Sequence, residues 1–296
     1  ARSGSGPSGC AEGADDPGEA GMIGYLTPAE RYERFKSFHE RPQAFIMPNA
    51  WDAVSAALLA REGFEALGST SAAIAYALGR QDGLHAVSRD EAITNAMLLG
   101  AASGLPINGD LEDGFGPAPE DCVATVEAAI AAGLAGLGIE DTTADRSNPI
   151  HGFDQAVARI AAAAKAAKGR ILLTARADNF INGKPDLDDT IRRLVAFAEA
   201  GADVLYAPGL PSREAIVAVV NAVAPRPVNV LMGPFEGLLP LSELSAIGVK
   251  RVSLGGTLQR RALDGLVDAA RALKDGNLAG ATAKLGHGEL GALFPA

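Results

Sequence analysis

Short apolar runs alternate with amphipathic stretches along nearly the whole chain. Residues 44–48, 66–69, 105–108, 136–139, 170–174, 203–206, 228–231 and 251–254 are mostly apolar runs, many of them bounded by Gly or Pro. Such runs read as strands buried on both faces. The stretches at 28–40, 52–62, 88–103, 119–132, 154–168, 186–200, 212–223, 240–247 and 257–274 read as helices. Their ends carry the matching signals. Thr27 with Pro28 opens the first, Ser88 with Glu91 forms a capping box, and Ser212 caps a later one. Gly133, Gly169 and Gly201 stop others. In the second helix Val54, Ala57, Leu58 and Arg61 recur at helical spacing. Residues 70–87 and 142–153 read as loops, and a short helical tail runs to about residue 293.

Eight strand-then-helix units over about 250 residues have the rhythm of a (β/α)8 TIM barrel in the α/β class. A doubly wound open sheet is the alternative, but no Gly-x-Gly-x-x-Gly turn follows the first strand. Residues 25–296 are expected to form one barrel domain with C-terminal helices. Residues 1–24 are Gly, Ser, Pro, Ala and acids, a composition that predicts a disordered tail and lacks the basic start and apolar core of a signal peptide.

Composition then removes several function classes. Lys and Arg total 26 against 36 Asp and Glu, a net charge of 26 − 36 = −10. No basic stripe offers a footprint for nucleic acid or an anionic membrane. No apolar run is long enough to span a bilayer, so a cytoplasmic location is expected. Two cysteines, Cys10 and Cys122, make neither a disulfide framework nor a zinc spacing. Cys122 reads as a small core residue.

What remains is acidic and lies at strand ends. The third strand runs into Asp110, Glu112 and Asp113, and the fourth into Glu140 and Asp141. In a parallel barrel these ends meet at the face that carries the chemistry. One acidic strand end can be a solvated rim or a helix cap. Two adjacent ones crowd charge that a divalent cation would relieve. All-oxygen ligands without His or Cys favour Mg2+ or Mn2+.

The same residues carry a family resemblance. DLEDGFG at 110–116, IED at 139–141 and ARAD at 175–178 resemble motifs of the isocitrate lyase/phosphoenolpyruvate mutase superfamily. PNAWDAVSA at 48–56 with EGF at 62–64, and GSTSAA at 68–73 leading to Asp82, are similar to its first two βα units. The resemblance spans about residues 26–275. It implies that Asp110 holds Mg2+ directly and that Asp82, Glu112 and Glu140 hold its waters. Ser69, Thr70 and Ser71 would receive a substrate carboxylate, Arg176 would pair with a substrate anion, and Asn229 would face the substrate; Trp51 and Tyr76 read either as pocket wall or as plain core. Glu112 stands where the family more often has Asp. The implied chemistry passes through a pyruvate-like enolate. The family's dimers and tetramers imply a homodimer or homotetramer, with C-terminal helices exchanged between subunits.

The departures narrow the activity. Family lyases carry a Lys-(Lys/Arg)-Cys-Gly-His loop after the fourth strand; here residues 142–152 read TTADRSNPIHG, with neither Cys nor Lys. His151 is the loop's candidate proton carrier, since an unperturbed imidazole titrates near neutrality. The sixth strand ends in YAPG at 206–209, without the Glu expected of the lyases. The expectation is an Mg2+-dependent lyase or hydrolase that breaks a C–C bond in a small 2-oxo or 2-hydroxy carboxylic acid. A phosphonopyruvate hydrolase or phosphoenolpyruvate mutase-like C–P enzyme, and a catalytically weakened barrel that only binds a keto acid, are the alternatives.

Overall fold

The computed structural model describes residues 26–83, 85–233 and 238–294; the tail expected at 1–24, with Cys10, lies outside them. Eight parallel strands form the centre: β1 (Phe45–Met47), β2 (Leu67–Gly68), β3 (Ile107–Asp110), β4 (Gly136–Glu140), β5 (Leu172–Arg176), β6 (Val204–Tyr206), β7 (Val228–Leu231) and β8 (Arg251–Ser253). The sheet order is β1-β8-β7-β6-β5-β4-β3-β2. A parallel bridge between Asn49 and Gly68 joins its two edges and closes the barrel. Closure leaves no unpaired edge.

Around it lie α1 (Pro28–Glu40), α2 (Ala53–Arg61), α3 (Ser71–Ala77), α4 (Arg89–Ser103), α5 (Pro119–Ala131), α6 (Phe153–Ala167), α7 (Leu187–Glu199), α8 (Arg213–Val223), α9 (Leu241–Ile247), α10 (Thr257–Lys274) and α11 (His287–Gly291). The expected capping boxes form at Thr27 and Ser88, and Ser212 accepts from the Ala215 N–H. Three differences from the sequence reading matter. The segment read as a loop at 70–87 contains α3. The third, fourth and fifth strands run on to Asp110, Glu140 and Arg176, so these charged residues belong to the barrel wall. In α2 the buried face is Ser55, Ala56 and Ala57, while Val54 is exposed. Asp52 caps the start of the helix, and the small buried residues let α2 approach the barrel.

The N-terminal end of the barrel is plugged by α1. Phe35 and Phe38 pack with Phe45, Met47, Ala66, Leu172 and Val204. Gly136 is required there, since a Cβ on it would stand 2.7 Å from Phe35 Cε1 and 2.7 Å from Asn108 Oδ1. His39, in the last turn of α1, is also buried. Its Nδ1 lies 3.0 Å from the Phe35 carbonyl, so Nδ1 carries the proton and Nε2 is free to accept from Arg251 Nη1 at 3.4 Å.

Helix α10, which follows the last strand, is different. Gln259 is its one buried residue, and Leu263, Leu266, Val267 and Leu273 are all exposed. No helix among the described residues is long and apolar enough to cross a membrane.

Candidate active site

A cavity of about 470 Å3 opens at the C-terminal ends of the strands. Asp82, Asp110, Glu112, Glu140, Arg176 and Asp178 all line it. Asp110 lies at the focus. Its Oδ2 accepts the Ser71 N–H at 2.8 Å and its Oδ1 accepts from Arg176 Nη1 at 3.1 Å. Its own N–H donates to Ser69 Oγ at 2.8 Å. One aspartate thus links the β2–α3 turn, β3 and β5.

Arg176 is ringed by acids. Nη1 lies 2.9 Å from Glu140 Oε1, Nη2 donates to Asp178 at 2.7 Å, and the guanidinium stacks 5.0 Å from the Tyr206 ring centre. Burial disfavours its charge, but Asp178, Glu140 and Asp110 outweigh burial and hold its pKa well above the ordinary arginine range. The carboxylates move the other way. Burial, then the charge of Asp110, raises Asp82 and pushes Glu112 up to about 7. Burial likewise raises Glu140 well above its usual range and lifts Asp178. More negative charge is gathered here than one guanidinium neutralises.

The turn after β3 is strained. Glu112, Gly114 and Phe115 have φ of 46°, 86° and 61°, a region costly for side-chain-bearing residues. The fully buried Arg159 donates from its two terminal nitrogens to the Gly116 and Asp113 carbonyls, and Thr125 Oγ1 donates to Gly114 O at 2.7 Å. These bonds hold Glu112 toward the cavity. Cys122 packs beneath the turn, fully buried, and burial pushes its thiol up to about 11. It is an unreactive core residue.

Not every residue singled out from sequence reaches this cavity. Asp82, Asp110, Glu112, Glu140, Ser69, Thr70, Ser71, Arg176 and Asn229 line it; Trp51 and His151 do not. Trp51 stands at the start of α2, its carbonyl accepting from Asn95 Nδ2 at 2.8 Å. His151 lines a separate cavity with Lys184, Asp186 and Arg193. The loop after β4 folds back on an antiparallel bridge between Thr142 and Ile150, and the His151 N–H donates to Asp141 O at 2.8 Å. That pairing turns the imidazole away from Asp110. Burial, then the nearby Arg159, lowers its pKa. The β2–α3 turn also differs from expectation. The Ser71 N–H is taken by Asp110 and the Ser69 N–H by Asn108 O, which leaves Thr70 with the turn's uncommitted amide among the described bonds.

The cavity adds residues that were given no role from sequence. His85, at φ 56°, has Nε2 2.6 Å from Asp113 Oδ1. Arg146 stands at the rim, while Asn108 and Arg251 lie on the floor. Only nearness to Asp82 hinted at His85, and Arg251 reads as an ordinary first residue of a strand.

The donor chemistry fits a magnesium ion. Among the described residues no three acids or histidines converge to ligate an ion on their own. Mg2+, however, usually keeps several waters and takes one or two carboxylates. Asp110 can serve as the direct ligand, and Asp82, Glu112 and Glu140 can accept from bound waters.

Fold and site together define a TIM-barrel enzyme that works at the C-terminal mouth of its strands. The family model described as phosphoenolpyruvate phosphomutase matches residues 35–274, and the chain belongs to that family, within the isocitrate lyase/phosphoenolpyruvate mutase superfamily. It is a lyase-type enzyme of that group. A solved structure of a candidate lyase/mutase from Burkholderia cenocepacia is 47% identical, with a TM-score of 0.87 over 91% of this chain and 97% of that one. An oxaloacetate decarboxylase of Paraburkholderia xenovorans is 31% identical over 264 residues, 86% of this chain and 85% of that protein. An uncharacterised protein of Mycobacterium tuberculosis is 32% identical over 244 residues, 82% of this chain and 89% of that protein.

Proposed function

We propose that the protein is an Mg2+-dependent lyase or hydrolase that cleaves a C–C bond of a small 2-oxo or 2-hydroxy carboxylic acid through a pyruvate-like enolate. The observation that carries this reading is the junction at Asp110, where four candidate metal-site carboxylates and Arg176 share one cavity. Bound Mg2+ would supply electrophilic stabilisation of charge growing on the 2-oxo oxygen. The chain's own groups do the rest. The Ser71 N–H and Arg176 hold Asp110 in one orientation, so the ligand oxygen is fixed before substrate arrives. The Thr70 N–H is available to a substrate carboxylate. Arg176 places fixed positive charge beside the reacting end, in a site where burial strengthens it. The relative from Paraburkholderia xenovorans, an oxaloacetate decarboxylase, supports a 2-oxo diacid as the first substrate to try.

The test is NMR of the protein with pyruvate or oxaloacetate in D2O, with and without Mg2+. Metal-dependent exchange at the carbon next to the oxo group, or metal-dependent cleavage, is expected. Phosphonopyruvate is run in parallel; turnover of it alone would move the reading to C–P chemistry. Binding of keto acids without exchange or cleavage would leave only a keto-acid-binding barrel.

A further inference from the structure

Below the plane of Asp110 and Arg176 the same cavity continues to a floor that carries Arg251. Arg251 is 1% exposed, yet no carboxylate among the described residues lies within ion-pair distance of it. Its partners are neutral: Nε donates to Asn229 Oδ1 at 2.9 Å, Nη2 to Thr174 Oγ1 at 2.9 Å, and Nη1 faces His39 Nε2 at 3.4 Å. A guanidinium carries five N–H donors, so these contacts leave two of them unmatched. Burial lowers its pKa to about 9, and it remains cationic at neutral pH. A buried cation without a counter-charge is costly unless an anion arrives. Asn108 reaches the same floor with its Oδ1 unpartnered, and its amide can present oxygen or, turned over, N–H to a ligand.

The spacing selects the ligand. Arg251 bonds Thr174, two residues before Arg176 on β5, so strand rise along tilted strands sets the floor about 5–7 Å below the Arg176 level. An extended four-carbon diacid holds its terminal carboxyl carbons about 4 Å apart. A charge-assisted hydrogen bond adds about 2.8 Å. The diacid therefore spans the step, and a three-carbon monoacid does not. The shaft is open on the β4 side because Gly138 places no side chain there; a Cβ on it would meet Arg176 Cδ at 3.7 Å. Two other arginines line the cavity. Arg176 is already ringed by Asp110, Glu140 and Asp178, and Arg146 is exposed at the rim.

We propose that Arg251 is the specificity-determining residue that receives the second carboxylate of a four-carbon diacid whose 2-oxo or 2-hydroxy end lies at Asp110. This rests on the proposed site at Asp110 and adds to it the residue that reads the distal carboxylate.

Binding is measured by calorimetry in Mg2+ with three probes: oxalate for the Asp110 end alone, then lactate and malate, which differ by the distal carboxylate. The wild-type enzyme should bind malate at least about tenfold more tightly than lactate, the size of one charged hydrogen bond. Arg251→Gln should abolish that ratio while oxalate affinity stays within about threefold, and Arg251→Lys should restore part of it. Gly138→Val, which leaves Arg251 in place and fills the shaft, should lose the ratio too. Arg146→Gln should keep it. Oxalate binding with no malate preference in the wild type would overturn the proposal and leave the Asp110 reading standing. So would a ratio that survives both Arg251→Gln and Gly138→Val, or one that disappears in Arg146→Gln. If the wild type binds no oxalate in Mg2+, the Asp110 reading fails and takes this proposal with it.

Discussion

Asp110 makes three polar contacts to two other elements before any ligand is present. Asp110→Asn keeps the shape and removes the charge. It should lower metal-dependent turnover by at least about a hundredfold, the scale seen when a preorganised charge-stabilising group is lost. Steady-state kinetics against Mg2+ concentration would show it; unchanged kcat would remove Asp110 from the metal site. Sequence pointed to this residue because two adjacent strand ends carry acids, and the family resemblance then marked Asp110 among them. It was silent on Arg251, which differs from an exposed strand-end arginine only in the contacts that Asn229, Thr174 and His39 supply. His151 failed in the opposite direction: its chemistry was suitable, but the Thr142–Ile150 bridge points it elsewhere.

At the scale of elements, the turn after β3 is the most constrained piece of backbone at the site, with three positive φ values in four residues. Arg159, on α6, secures it by donating to two of its carbonyls. Arg159→Met would leave those carbonyls unpaired in the core. It should cost about 2–4 kcal/mol of stability, read from urea unfolding, and should weaken Mg2+ binding as Glu112 loses its hold. A loss of stability with metal affinity unchanged would separate the turn from the site. The helix caps at Thr27, Ser88 and Ser212 were legible because capping is local, a matter of three or four residues. The α3 helix was not, since its SAAIAYA run carries no cap bond and owes its place to packing against the barrel.

At the scale of the whole molecule two tests follow. The α1 plug buries His39, and burial, then the Arg251 charge, lowers its pKa to about 3. An unfolded histidine titrates near 6.5. The unfolded chain therefore takes up a proton below pH 6.5 that the folded protein refuses until about pH 3. The neutral His39 contribution is complete above pH 6.5 and falls by about 1.4 kcal/mol per pH unit below it. Between pH 7 and pH 5, His39→Gln should remove about 2 kcal/mol of the wild-type loss in urea unfolding; identical slopes would mean that His39 titrates normally. The second test concerns assembly. The exposed leucines of α10 are the face we expect to be covered in a homodimer or homotetramer. Leu266→Asp with Val267→Asp should shift sedimentation to a smaller species, and an unchanged species would place the interface elsewhere.

The sequence by itself determined the barrel, because the strand-then-helix hydrophobic pattern is a local signal repeated eight times, with caps and Gly stops marking several of its helices. It also determined the family and the carboxylates at the mouth, because strand-end position is a one-dimensional property. Tertiary structure decided which of those groups meet. Asp110 and Glu140 reach the Arg176 guanidinium only when β3, β4 and β5 lie side by side in register, and there they join Asp178, which is two residues from Arg176 in the chain. Closure of the barrel over α1 put Arg251 at the floor of the cavity with no acid beside it among the described residues. Burial and charge balance depend on neighbours far apart in the chain, and no run of residues read alone contains them.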